Sequence, residues 1–338
     1  MRSLSDADIL HALRKKEENR FLNDSIDLFS GCRTGHMNPY AFNEPKTNDD
    51  PVRGGEHWGR FVNTSRDYYL ISEEAQLIQN FSAEIGAILP PNALCVDLGP
   101  GEEKAVLTKT FPILTGMFNP SGYVAVDVNN KFIHNASTLV QDKLQIESSG
   151  ILADFFEETL SIAARTPKVM VLFGGLLCNL GRGKTPSLIE LSNSLKKLRK
   201  HAQTGDYLVI TQDINHNQTT LNAAYNHPDL ARYIMTLTHR IQRDLPTRDF
   251  NPDHFEFYSE WDSAEHVQIL GARAKALSTF QIADHAFAIR KGTKIPLVNC
   301  YKFPAEFFLR ACHSAGFKAV KTFHGTSDRI ILHVLQAV

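Results

Sequence analysis

The chain has 338 residues, 43% of them hydrophobic and 22% charged, so it can bury a full core in one large domain or two interleaved ones. A formal net charge of -1 and the lack of a polybasic run argue against nucleic acid or an anionic membrane as a partner. The first residues include acids where a secretory signal would be apolar, and no apolar run of roughly 18 residues occurs, so we expect a cytoplasmic protein. The five cysteines are scattered, which favours free thiols, and no metal site is expected.

The N-terminal segment SDADILHALRKK predicts a helix, because Ser5 and Asp8 fit a capping box. The stretch that follows, GCRTGHMNPYAFNEPKTNDDPVRGG, is rich in glycine, proline and asparagine and has no apolar periodicity. This composition predicts a long irregular loop between residues 31 and 55.

From about Ser72 the pattern changes to helices that alternate with short apolar runs. The helix SEEAQLIQNFSAEIGAIL is followed by the runs ALCVDLG, GYVAVDV, SGILAD, KVMVLFG and DYLVITQD. Apolar strands that alternate with helices predict an α/β fold, in which a buried parallel sheet has helices on both faces.

After Asn215 this alternation stops. Two predicted helices, TTLNAAYNH and DLARYIMTLTHRIQRDL, precede a strand-like series from DHFEFYSEWDS to LVNCYKF. A helix, PAEFFLRACHSAG, and two strands, FKAVKTFHG and RIILHVLQ, complete the pattern. We therefore expect one open sheet that is interrupted by an insertion.

The segment VDLGPGEEKAVL predicts a ligand site where the first strand of the sheet ends. The strand runs into Asp97, and glycines at 99 and 101 let a ligand approach the backbone near free amides of the next helix. Lys104 stands where a dinucleotide-binding pattern needs glycine, and the glutamates after Gly101 would repel phosphate. A zwitterionic sulfonium ligand such as S-adenosylmethionine fits better, and a tight turn without a ligand is the alternative.

Acidic residues also end the second and third predicted strands. Asp127 can accept both ribose hydroxyls of an adenosine, and Asp154 can accept the adenine amino group while Phe155 packs on the ring. Each acid alone is compatible with a helix cap. Together, in this order, they favour an adenosine site.

The segment VMVLFGGLLCNLGRGKT ends like a phosphate-binding loop, but a Walker A loop needs glycine where Cys178 stands. GRGKT is better interpreted as a turn, with Thr185 capping the next helix and Pro186 in its first turn. The functional part is then FGGLLCN, in which Asn179 either hydrogen-bonds a substrate or caps a turn. A nucleotide hydrolase that uses Lys184 remains an alternative.

These segments resemble the histidine-specific methyltransferase family, which includes histidine Nα-methyltransferases of ergothioneine biosynthesis and fungal dimethylallyltryptophan N-methyltransferases. The resemblance begins near Asp67 and rests on DYYLISEEAQLI, DLGPGEEK, VAVDVN, GGLLCN and NPDHFEFYSEWDSAEHVQI. It implies a Rossmann-like class I methyltransferase sheet made by residues 73–214 and 301–338. A second α+β domain, made by residues 1–72 and 215–300, would cover a small-molecule substrate.

The resemblance also implies roles for single residues. The cofactor S-adenosylmethionine would contact Asp97, Gly99, Gly101, Lys104, Asp127, Asp154, Phe155 and Gly174. The acceptor amino acid would contact Tyr68, Asn179 and Tyr225.

The resemblance indicates an acceptor other than histidine. The family's glutamate and serine, which grip the imidazole of histidine, align with Val298 and Cys300. An imidazole left without a partner would cost roughly 1–3 kcal/mol. We therefore expect an S-adenosylmethionine-dependent N-methyltransferase of a small amino acid or related amine, and the alternative is a non-catalytic cofactor-binding sensor or partner protein.

Overall fold

The computed structural model describes residues 6–162, 166–179 and 187–338. Its helices are α1 (Asp6–Phe29), α2 (Asn38–Ala41), α3 (Gly54–Thr64), α4 (Tyr69–Ile88), α5 (Glu103–Ala105), α6 (Phe111–Gly116), α7 (Asn130–Leu144), α8 (Leu188–Arg199), α9 (Gln218–Tyr225), α10 (Pro228–Asp244) and α11 (Ala305–Ser314). Its strands are β1 (Leu94–Leu98), β2 (Gly122–Asp127), β3 (Ser148–Leu152), β4 (Lys168–Leu172), β5 (Tyr207–Asp213), β6 (Thr247–Arg248), β7 (Phe255–Asp262), β8 (Val267–Ala274), β9 (Ser278–Ile282), β10 (His285–Ile289), β11 (Lys294–Tyr301), β12 (Phe317–His324) and β13 (Ile330–Ala337). A π-helical turn, Val106–Thr110, joins α5 to α6, and short 3-10 helices form at Leu176–Asn179 and Pro252–His254.

The chain forms two compact units. Among the described residues, one unit, here called the accessory unit, comprises residues 6–67 and 218–301. The other, here called the sheet unit, comprises residues 68–162, 166–179, 187–217 and 302–338.

The sheet unit contains a seven-stranded sheet in the order β12-β13-β5-β4-β1-β2-β3. Strands β1 to β5 are parallel to one another, whereas β13 is antiparallel to both β5 and β12. All five residues of β4 are buried, as expected of a strand in a sheet that is covered on both faces. The predicted α/β fold, its five parallel strands and the final hairpin are confirmed.

Strand order places a topological switch point at one edge of this sheet. β1 and β4 are neighbours, with Asp97 opposite Val171, and the order continues to β2 and β3 on one side and to β5 on the other. The connections that leave the carboxyl ends of β1 and β4 therefore diverge. Open α/β sheets bind ligands at such a switch point, outside the carboxyl ends of the strands.

Helix α4 approaches the segment after β1 very closely. A Cβ atom added at Gly86 would lie 1.7 Å from the carbonyl oxygen of Gly116, and one at Gly116 would lie 2.3 Å from that of Ser82. Only glycine permits this approach of the α4 and α6 backbones. Helix α4 is thus fixed against the helical segment that follows the first glycine turn.

The accessory unit contains two three-stranded antiparallel sheets, β11-β8-β7 and β10-β9-β6. Its apolar core includes a cluster of aromatic rings in edge and tilted contacts, made by Phe29, Phe250, Phe255, Phe280 and Phe287. Among the residues whose placement is known, no helix of the chain is long and apolar enough to cross a membrane.

The prediction of an irregular loop over residues 31–55 is wrong in part, because this stretch contains α2 and the start of α3. Its backbone joins a strand, since the Gly35 amide donates to the Pro296 carbonyl at 2.8 Å. Its polar side chains have partners too, as in the 2.5 Å ion pair between Arg243 and Asp50. These partners lie far away in sequence, so local composition does not reveal them.

Helix starts also differ from the predictions. Helix α4 begins at Tyr69 rather than near Ser72. The N-cap of α8 is Ser187, whose side chain accepts from the Glu190 amide in a complete capping box, so the predicted cap at Thr185 is wrong. The GRGKT segment, with Lys184, lies outside the described residues.

Candidate cofactor site

The turn after β1 depends on glycine for its backbone conformation. Gly99 and Gly101 have φ values of 79° and 69°, in the left-handed region that side chains with a Cβ disfavour. The Gly99 amide donates to the Val126 carbonyl at 2.8 Å, which ties the turn to the end of β2. The turn thus presents backbone at the switch point without side chains of its own at these two positions.

Asp127 is the last residue of β2 and is partly exposed. Its Oδ1 accepts a hydrogen bond from the Asn129 amide at 2.8 Å. Burial raises the pKa of Asp127 to about 6, against which amide hydrogen bonds act, and the nearby charge of Asp97 raises it further. The carboxylate therefore stands at the carboxyl edge of the sheet beside the first glycine turn.

The end of β3 follows directly along the edge. The Ala153 amide donates to the Asp127 carbonyl at 3.0 Å, which places Asp154 one residue beyond this contact. Asp154 is partly exposed, and its Oδ1 accepts from the Phe156 amide at 3.0 Å. Phe155 is buried, with its ring centroid 4.7 Å from that of Phe156, so its stacking on adenine stays a prediction.

Two exposed apolar side chains flank Asp127, and sequence reasoning missed both. Val128 and Leu152 are each 54% exposed, and Leu152 is the register partner of Asp127. The available signal was Val128, an apolar residue directly after a strand-terminal acid. In the sequence, however, Val128 and Leu152 both look like parts of apolar strands. Exposed aliphatic surface beside a carboxylate suits the flat, apolar face of an adenosine.

A second glycine turn follows β4. Gly174 and Gly175 have φ values of 81° and 68°. The Gly174 amide donates to Glu74 Oε1 at 2.7 Å, and Glu74 is fully buried. Lys109 Nζ lies 2.5 Å from the other oxygen, Glu74 Oε2. Sequence reasoning missed Glu74, because an acid in SEEAQLI looks like an exposed helix residue.

Asp97 has partners inside the protein. Its Oδ2 accepts hydrogen bonds from Thr110 Oγ1 at 2.7 Å and from the Tyr123 hydroxyl at 3.0 Å. Burial raises the pKa of Asp97 to about 6, although both hydrogen bonds and the charge of Lys109 lower it. Its direct contact with a cofactor stays a prediction, as does that of Lys104, which is exposed.

The residues predicted to contact the acceptor belong to both units. In the sheet unit, Tyr68 is buried just before α4, and Asn179 ends the 3-10 helix after the second glycine turn. The side chain of Asn179 lies outside the part of the chain that the structure describes. In the accessory unit, Tyr225 ends α9 and is buried, and Val298 and Cys300 are 2% and 8% exposed in β11.

The sheet edge fits an S-adenosyl ligand. Two turns of positive-φ glycines let a ligand approach the backbone closely. A carboxylate beside exposed aliphatic side chains can accept ribose hydroxyls while the aliphatic surface contacts the base. Within residues 6–162, 166–179 and 187–338, no group of three or more His, Cys, Asp or Glu side chains could hold a metal ion. The arrangement of backbone, carboxylates and aliphatic surface could therefore hold a nucleoside-type ligand without a metal ion.

Comparisons with known proteins support this interpretation. The pattern of the family described as "Histidine-specific methyltransferase, SAM-dependent" matches residues 48–337. A 4-dimethylallyltryptophan N-methyltransferase (easF) of Trichophyton verrucosum is 24% identical over 294 residues, covering 80% of this chain and 82% of that protein. The N-methyltransferase fsqC of Aspergillus fumigatus is 24% identical over 268 residues, covering 75% and 68%.

A bacterial relative is similar over a shorter stretch. The histidine N-alpha-methyltransferase of Mycobacterium tuberculosis is 25% identical over 205 residues, covering 59% of this chain and 60% of that protein. Since the family pattern spans most of the chain, the chain belongs to the histidine-specific methyltransferase family and is an S-adenosylmethionine-dependent methyltransferase.

Proposed function

We propose that this enzyme is an N-methyltransferase whose acceptor is a small amino acid or related amine other than histidine. Relatives named for N-methylation of histidine and of 4-dimethylallyltryptophan support the amine as the reacting group. The observation that carries the exclusion of histidine is the apolar pair at Val298 and Cys300 in β11.

Val298 and Cys300 share a face of β11, because they are two residues apart on one strand. Opposite them on β8 are Leu270 and Gln268. A valine offers no hydrogen bond, and a thiol is only a weak donor. A histidine imidazole that found no partner at these two side chains would lose roughly 1–3 kcal/mol relative to a site with a full partner.

In this proposal the carboxyl edge of the sheet unit binds the cofactor. Asp127 accepts the ribose hydroxyls, the glycine turns hold the amino-acid part by their backbone, and Asp154 orients the base. Bound S-adenosylmethionine supplies an electrophilic methyl group on a sulfonium ion.

Acceptor recognition in this proposal follows the roles that the family resemblance implies. Tyr68, Asn179 and Tyr225 hold the acceptor so that its neutral amine faces the methyl group. Holding two reactants in this way can supply about 7–11 kcal/mol of the barrier reduction, so no strong base is required. The acceptor amine must be neutral to attack, and its proton can pass to water before methyl transfer.

The direct test is a methyl-transfer assay with labelled S-adenosylmethionine and a panel of amino acids and biogenic amines. We expect turnover with at least one amine and a kcat/KM for histidine at least about tenfold lower, given the missing imidazole partners. The double variant Val298→Glu/Cys300→Ser should raise the relative rate with histidine. Histidine as the best acceptor of the wild-type enzyme would contradict the proposal.

A further inference from the structure

The segment between the first glycine turn and α6 is not a regular α-helix. Val106–Thr110 forms a π-helical turn, which contains one residue more than an α-helical turn and is frequent at functional sites. Two successive polar residues of this turn are buried, because Lys109 is 4% and Thr110 is 2% exposed. Each of them reaches a different buried carboxylate.

Lys109 leads to the second glycine turn. Its ammonium group lies 2.5 Å from Glu74 Oε2, and Glu74 Oε1 accepts from the Gly174 amide at 2.7 Å and from the Thr211 hydroxyl. Glu74 therefore joins α4, the end of β5 and the turn after β4 through one carboxylate. The cation that neutralises this carboxylate comes from the π-helical turn.

Thr110 leads to the first glycine turn. It donates to Asp97 Oδ2 at 2.7 Å, and Asp97 lies on β1, two residues before Gly99. The π-helical turn is also linked covalently to Gly101 through α5. The two glycine turns are themselves close, since a Cβ at Gly99 would lie 3.9 Å from Leu176 Cδ2.

We propose that Glu74, Lys109 and Thr110 form a clamp that sets the relative position of the two glycine turns and so determines affinity for the S-adenosyl ligand. These three are positioning residues, because they act through Gly174 and Asp97. The inference rests on the proposed cofactor site at this edge. Buried ion pairs are often replaceable by apolar residues without loss of stability, so a positional role explains why a costly pair is present here.

The sheet unit offers a matched control at the opposite end of β4. Lys168 Nζ lies 3.0 Å from Asp206 Oδ2, and the two side chains are 4% and 5% exposed. This pair joins the amino ends of β4 and β5, away from both glycine turns. Lys168→Met therefore removes a comparably buried cation from the same strand system without touching the clamp.

The experiment is calorimetric titration with S-adenosylhomocysteine, combined with thermal unfolding, on wild type, Lys109→Met, Thr110→Val and Lys168→Met. We expect Lys109→Met to weaken binding by about tenfold or more and Thr110→Val by severalfold, whereas Lys168→Met stays within about twofold of wild type. Both lysine variants should unfold at lower temperature. Adding Glu74→Gln to Lys109→Met should restore part of the affinity, because a neutral glutamine still accepts from the Gly174 amide.

The outcomes separate the clamp from the cofactor site. If wild type binds S-adenosylhomocysteine and Lys109→Met binds as well as Lys168→Met, the clamp is refuted and the cofactor site stands. If wild type does not bind it, the cofactor site is refuted together with the clamp. If Lys109→Met fails to fold, the test uses Thr110→Val and the Glu74→Gln/Lys109→Met double variant. Wild-type affinity in Thr110→Val, together with no binding by a folded double variant, would refute the clamp.

Discussion

A buried ion pair between a lysine and a carboxylate lies at each end of β4, and the two pairs hold different structures. At the amino end, Asp206 pairs with Lys168 and accepts from the Lys168 and Gln203 amides at 2.8 Å and 2.7 Å. At the carboxyl end, Glu74 pairs with Lys109 and accepts from the amide of a positive-φ glycine. The first pair joins the starts of two regular strands, whereas the second contacts an irregular turn at the edge that we propose binds the cofactor. The function of a buried ion pair therefore depends on the structure that it holds.

The largest expected difference between the two edges of the sheet concerns glycines with left-handed backbone. Gly99, which follows β1 at the carboxyl edge of the sheet, and Gly205, which precedes β5 at the amino edge, have φ values of 79° and 93°, and neither has an atom within 3.4 Å of an added Cβ. Alanine at either position costs roughly 1–2 kcal/mol of stability through backbone strain. We expect Gly99→Ala to weaken S-adenosylhomocysteine binding tenfold or more and Gly205→Ala to leave it unchanged, as measured by calorimetry. Equal affinities of the two variants would show that the turn after β1 does not contact the ligand.

A smaller effect should follow from pH. Burial raises the pKa of Asp127 to about 6, and its ionised form is the better acceptor for ribose hydroxyls. Affinity should therefore be constant above about pH 7 and fall by up to tenfold as pH decreases to about 5, one unit below that pKa. Asp97 also has a pKa raised to about 6, so Asp127→Asn is the necessary control. A wild-type affinity that does not change between these pH values would remove Asp127 from the ribose site.

The same pKa has the opposite consequence for folding. A carboxyl group whose pKa is higher in the folded than in the unfolded chain binds its proton more tightly when folded. The contribution of Asp127 to the free energy of unfolding is thus greatest below about pH 4 and is lost as pH rises through 6. Binding and this contribution to stability change in opposite directions over one pH range.

The parallel sheet was predictable because its strands are continuous apolar runs bounded by turn residues, as in KVMVLFG. The strand-end acids and the glycine turn were predictable because they directly follow apolar runs in the sequence. The role of Glu74 was not predictable, because its ion-pair partner Lys109 lies on a different element. The π-helical turn has no sequence pattern of its own, and the segment between α2 and α3 pairs with Arg243, which is distant in sequence.

The roles of individual residues in binding remain predictions, and those at Val298 and Cys300 come from the family resemblance. The residues predicted to hold the acceptor are far apart in sequence, so local sequence patterns alone do not group them. The cofactor edge is different, because neighbouring parallel strands place Gly99, Asp127 and Asp154 in one row.

The most direct test of the account is titration of wild type and Asp127→Ala with S-adenosylhomocysteine, in parallel with magnesium ATP. We expect micromolar binding of S-adenosylhomocysteine to wild type and a loss of roughly tenfold to hundredfold in the variant, as charge-assisted hydrogen bonds are worth about 1.5–3 kcal/mol. Magnesium ATP should not bind to a saturable site. Absent binding of S-adenosylhomocysteine, or saturable binding of magnesium ATP alone, would contradict the assignment of the carboxyl edge as the cofactor site.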